Sequence, residues 1–180
     1  TILPEPLMLF LLMAGSYFFI RMVEETKPAN FILSSLLLAA SLLVKPYALF
    51  FFLPLLILAY KKWGIKLIKK PLFYIYPLLV FVPLILWRLW IQNFPAGIPA
   101  NAWLLNMDNI RLRPAWWRWL FAERLAKLIL GYWGLPLFVF GVLRKPLKSE
   151  NWFYHLWLLG VFAYLVIFAG GNVTHDYYQF

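Results

Sequence analysis

The stretch Phe31–Tyr60, FILSSLLLAASLLVKPYALFFFLPLLILAY, decides the fold, and the dipeptide Lys45-Pro46 decides how it divides. Lys45 is its only charged residue. As one straight helix the run would extend about 45 Å at ~1.5 Å per residue, against a bilayer core of roughly 30 Å. A single span would also leave an ammonium near the bilayer centre, at a cost of about 2.5–3.5 kcal/mol or more. Pro46 has no N–H to continue the helix and disfavours the α conformation at Lys45. Two shorter spans, 29–44 and 46–61, with Lys45 at the turn on one membrane face, remove both conflicts. A cation at such a turn is a candidate binding residue.

Composition sets the class. The chain is 64% hydrophobic and 21% aromatic with only 13% charged residues, and its mean hydropathy is +0.75. This is the balance of a multi-pass membrane protein. In lipid every backbone polar group must be satisfied internally, and the apolar runs are too long for barrel strands, so the spans are helices. The expected fold class is all-α, a polytopic transmembrane helix bundle, with residues 1–180 part of one multi-pass domain. The chain has no cysteine, which excludes disulfides and thiolate chemistry. A net charge of +10 is not a nucleic-acid signature here, because the basic residues gather in loops between spans. The first residue is not methionine and the last lies in a loop, so the chain reads as an internal piece of a longer protein.

Hydropathy places about six spans, at 4–21, 29–44, 46–61, 71–93, 127–143 and 151–169. The loops 61–70 (Lys61, Lys62, Lys66, Lys69, Lys70) and 144–150 (Arg144, Lys145, Lys148) are short and basic, which predicts a cytoplasmic location. Segment 22–28 then lies inside too, with Arg21 and Lys27 offset by Glu24 and Glu25. The outer face receives the N-terminal edge, the Lys45 turn, the loop 94–126 and the tail 170–180. Polar groups from distant parts of the chain thus converge on one face.

The outer loop follows a span that Pro71, Pro77 and Pro83 make kinkable, and it opens irregularly with Pro95, Gly97, Pro99 and Asn101. From Pro114 to Lys127 the sequence predicts an interfacial helix with proline at its first position. Trp116, Trp117, Leu120 and Phe121 share a face, and Glu123 and Lys127 form an i,i+4 pair. Arg111 and Arg113 precede it. They suit either lipid headgroups or a substrate phosphate, which guanidinium donors bind in bidentate fashion. In the tail, Gly170 and Gly171 are expected to end the last span. The cluster His175, Asp176, Tyr177 and Tyr178 is richer in hydrogen-bonding groups than an aromatic belt requires. Asn172-Val173-Thr174 also fits a glycosylation sequon.

Three segments together resemble a known family: Leu-Val-Lys-Pro-Tyr-Ala-Leu…Leu-Pro at 43–54, Ile-Arg-Leu-Arg-Pro-Ala-Trp-Trp-Arg-Trp-Leu-Phe-Ala-Glu-Arg at 110–124, and His-Asp-Tyr-Tyr-Gln at 175–179. They are similar to the prokaryotic membrane glycosyltransferases of family 39, relatives of the protein O-mannosyltransferases and of the aminoarabinose transferase that modifies lipid A. Pro4-Glu5-Pro6-Leu7 fits the same pattern. In the aminoarabinose branch the turn reads Lys-Gly-Pro, whereas here Lys45 meets Pro46 directly. The resemblance implies a GT-C fold in the bacterial cytoplasmic membrane. It implies a polyprenyl-phosphate sugar donor used at the outer face, a glycan, lipid or protein acceptor, and no cofactor or metal.

Carried over by position, Lys45 would bind the lipid phosphate, Tyr177 or Tyr178 would donate a hydroxyl, and Arg111 or Arg113 would complete the cradle. The chemistry asks for the same groups, since glycosyl transfer expels a phosphate whose developing charge needs fixed cations and donors. It also asks for a carboxylate base. Of the seven acidic residues, only Glu5, Asp108, Glu123 and Asp176 fall on the outer face, and none is singled out as the base, which the resemblance puts upstream. Two other classes keep a place: a lipid or ion transporter, and a non-catalytic subunit that binds membrane lipids.

Overall fold

A computed structural model describes residues 4–25, 27–94, 102–144 and 152–174. Every element among them is helical, so the all-α class holds. The chain divides into two units, Thr1–Pro99 and Ala100–Phe180.

In the first unit, α1 (Glu5–Glu25) and α2 (Pro28–Val44) form an antiparallel hairpin. Pro28 sits in the first turn of α2, where a missing N–H leaves nothing unsatisfied. The break falls where Pro46 requires it. Lys45 leaves the helix in an extended conformation (φ −149°, ψ 119°), and Pro46 opens a 3₁₀ turn, Pro46–Phe51, that runs into α3 (Leu53–Trp63). The turn is hydrogen-bonded on both sides, Lys45 N–H to the Ser41 carbonyl at 3.0 Å and Ala48 N–H to the Lys45 carbonyl at 3.1 Å. A further 3₁₀ segment, Gly64–Lys69, leads to α4 (Leu72–Ile91).

Glycine sets the closeness of the hairpin. A Cβ on Gly15 would lie 2.7 Å from Leu38 Cδ2, so only hydrogen allows this approach. Leu12, Leu38 and Leu42 fill the seam and are fully buried. Tyr76 of α4 locks onto it, its hydroxyl 2.8 Å from Ser34 Oγ and its ring edge-on to Phe19 and Phe31. The rest of α4 is an apolar surface with Val80 as its buried residue, as expected of a helix solvated by lipid.

Glu5–Glu25, Pro46–Lys69 and Leu72–Ile91 are each long and apolar enough to cross a membrane. Pro28–Val44 and Trp152–Ile167 are apolar but shorter. The 17 residues of α2 give about 26 Å, close to the thickness of the hydrocarbon core. Fewer spans than six are therefore established, three, or four if a bent pair in the second unit counts as one.

That pair replaces the straight helix expected at 127–143 with a bent one. The second unit runs α5 (Ala102–Asn106), a 3₁₀ segment Met107–Leu112, α6 (Pro114–Arg118), a π-helical stretch Trp119–Ile129, α7 (Gly134–Leu143), α8 (Trp152–Ile167) and α9 (Ala169–Thr174). Residues 127–129 finish the π-helical stretch, and α7 leaves at 113° to the helix before it. Gly131 (φ 56°) and Tyr132 (φ 58°) are both left-handed, and a right-handed helix cannot pass through two such residues.

The helix from Pro114 begins as expected, and its Trp116 and Leu120 pack with Ala169 in the core of this unit. Of that face Phe121 stays exposed and Trp117 is half-buried. The glycines of the tail are a second correction. Gly170 and Gly171 lie inside α9 rather than ending a span. A Cβ on Gly171 would come within 2.8 Å of Leu104 Cδ2, so that glycine serves the close packing of α9 on α5.

Candidate functional site at the α2 break

The hairpin brings its two open ends level. Glu5 stands in the first turn of α1 and Lys45 at the C-terminal end of α2. Each occupies the helix end whose dipole favours its charge. The Lys45 ammonium is paired with Glu5 Oε1. The side chains are 15% and 13% exposed, so this ion pair is withdrawn from solvent. The ammonium also lies 5.7 Å from the centre of the Tyr47 ring, within cation–π range.

The other Glu5 oxygen, Oε2, is buried with no hydrogen-bond partner. A carboxylate accepts several hydrogen bonds, and leaving one oxygen unsolvated is costly. The site is thus a partly buried ion pair with one buried carboxylate oxygen beside it, at one end of the hairpin. The opposite end holds a solvated cluster, with Glu25 bridging Arg21 at 2.5 Å and Lys27 at 2.9 Å.

Glu5 is what sequence reading missed. Its signal was positional: residues 5 and 45 stand nearly equidistant from the turn between Glu25 and Pro28, so a hairpin puts them at one level.

Arg111 and Arg113 belong to the second unit. Arg113 Nη2 donates to the Asp108 carbonyl at 3.1 Å, and the Arg111 carbonyl accepts from Trp117 Nε1 at 2.8 Å. The Arg111 N–H bonds Asn106 Oδ1 at 3.1 Å, and Asp108 and Asn109 are both left-handed at φ 53°. The arginines are therefore carried on an ordered turn rather than a loose strand. His175, Asp176, Tyr177 and Tyr178 lie outside the described residues.

A cavity of about 390 Å³ between α7 and α8 is lined by apolar side chains with His155, whose Nε2 is 3.1 Å from the Val142 carbonyl. Its lining contains no Lys or Arg, so it is unsuited to a phosphate. Among the described residues no group of three or more His, Cys, Asp or Glu side chains gathers to hold a metal ion. No protein family, curated protein or solved structure matches this chain.

Proposed function

We propose that this chain belongs to a membrane glycosyltransferase that moves a sugar from a polyprenyl-phosphate donor to an acceptor hydroxyl at the outer face. The supporting observation is Lys45, an ammonium largely withdrawn from solvent at the end of an apolar helix, on a turn with hydrogen bonds on both sides. Sugar transfer breaks the bond between the anomeric carbon and a phosphate oxygen, and charge develops on that oxygen. A fixed ammonium beside it, in a site shielded from water, lowers the barrier more than an exposed one. A transporter would also use intramembrane charge, but there the charges line a path at the midplane, whereas this pair stands at helix ends. We further read the two shorter apolar helices and the bent pair as additional spans of a six-span, GT-C-like bundle in a bacterial cytoplasmic membrane.

The deciding experiment is sugar transfer by the full-length protein in membranes with Lys45→Ala and Lys45→Arg. The alanine variant loses most turnover. Arginine restores part of it, since a guanidinium keeps the charge with different geometry. Normal turnover of Lys45→Ala at saturating donor rejects the reading.

A further inference from the structure

An anion that reaches Lys45 meets Glu5 already there. The ion pair is neutral as a unit, so whatever binds the ammonium must tolerate a carboxylate alongside in a poorly solvated place. Two properties decide which anions can. One is charge: each added negative charge is repelled by Glu5, and repulsion is strong where water is excluded. The other is hydrogen bonding, because the buried Oε2 lacks a donor. A ligand that brings a hydroxyl supplies such a donor and recovers part of the cost of desolvating that oxygen.

A sugar joined to a lipid through a phosphodiester satisfies both conditions. Its phosphate carries a single negative charge and its sugar hydroxyls are donors. The spent carrier satisfies neither. As a phosphomonoester it carries about −1.5 to −2 charges at neutral pH and has lost the sugar hydroxyls.

We propose that Glu5 is a specificity residue that makes the Lys45 site select the sugar-bearing lipid phosphodiester over the bare lipid phosphate. This rests on Lys45 being the phosphate-binding cation. Glu5 Oε1 holds the ammonium, Oε2 accepts from a sugar hydroxyl, and the carboxylate charge disfavours the product. Loss of the sugar removes the donor and adds charge in one step, so transfer itself weakens retention of the carrier. The same carboxylate keeps Lys45 charge-compensated when no lipid is bound.

The test measures binding of two probes to the full-length protein in lipid nanodiscs: a prenyl-phosphoryl hexose and the same prenyl phosphate without sugar. Wild type binds the hexose-bearing probe more tightly. In Glu5→Gln the bare prenyl phosphate gains about tenfold in affinity, as expected when a like charge beside it is removed, while the hexose-bearing probe gains much less or weakens. Glu5→Asp keeps the charge but shortens the reach. It therefore preserves rejection of the bare phosphate while weakening the hexose-bearing probe, a result that a folding defect would not mimic. If wild type binds both probes and Glu5→Gln leaves their ratio unchanged, the specificity role is wrong and the Lys45 reading stands. If wild type binds neither probe, the Lys45 reading fails and takes this inference with it.

Discussion

Glu5 and Lys45, 40 residues apart in the chain, form a partly buried ion pair that joins the start of α1 to the end of α2. Withdrawing two charges from water is costly, and their attraction offsets this only while both are present. The pair thus ties together the hairpin and the break at Lys45-Pro46, the feature around which the first unit is arranged.

That coupling is measurable. Glu5→Gln or Lys45→Met alone should destabilise the protein by about 1.5–3 kcal/mol, the range for hydrogen bonds to charged groups, because each removes one half of the partly buried ion pair. The double variant should cost far less than the two singles added. Thermal unfolding in detergent gives the double-mutant cycle, and additivity of the two singles would show that the side chains do not interact.

Gly15→Ala should loosen the hairpin, since the new methyl would sit 2.7 Å from Leu38 Cδ2 and 3.1 Å from the Leu38 backbone nitrogen. A loss of about 1–3 kcal/mol is expected for overpacking of this kind. Gly141→Ala is the control, with nothing within 4 Å of its added Cβ. It should be neutral or stabilise by up to about 1 kcal/mol through helix propensity. Equal melting temperatures for the two variants would contradict the packing described.

Tyr76→Phe removes the hydroxyl 2.8 Å from Ser34 Oγ while keeping the ring against Phe19 and Phe31. The expected loss is about 0.6 kcal/mol, typical of hydrogen bonds between membrane helices. Ser34→Ala should cost a similar amount, and the two should not add. Tyr76→Ala should cost several times more, because the ring also goes.

The sequon Asn172-Val173-Thr174 should stay unmodified when the protein is expressed in a secretory pathway that adds N-glycans. Asn172 is 1% exposed and its amide donates to the Leu165 and Phe168 carbonyls at 3.3 and 3.1 Å. An acceptor asparagine must reach the surface. A glycosidase-sensitive mass shift lost in Asn172→Gln would show that α9 opens.

The sidedness expected from the basic segment can be tested by labelling. Cysteine introduced at Lys66, which is exposed in Gly64–Lys69, should resist an impermeant thiol reagent in intact cells, whereas cysteine at Tyr47 should react. The native chain offers no competing thiol. Labelling at 66 without labelling at 47 would invert the orientation.

The features legible in the sequence were those with a local cause. Pro46 ends α2 at Val44 through its own missing N–H, so the division of Phe31–Tyr60 followed from one residue. Pro114 starts its helix and Glu123 pairs with Lys127 for equally local reasons. The misreading of 127–143 came from hydropathy, which is blind to backbone handedness; Gly131, Gly134 and Pro136 punctuated that run, yet its apolar character hid the bend. Gly170 and Gly171 were read as helix breakers because local propensity offers that meaning first. Their place inside α9, with Gly171 against Leu104, depends on an element far away in the chain.

By itself, then, the sequence determined the helical, lipid-compatible class and the position of the Lys45 turn, because composition and proline chemistry act on each segment alone. Only the tertiary structure decided that Glu5 is the partner of Lys45, that Gly15 seats Leu38, and that Asn172 is buried. Those depend on which helix ends and faces meet, and a contact between residues 40 apart is chosen by packing of the whole hairpin rather than by the chemistry of either residue.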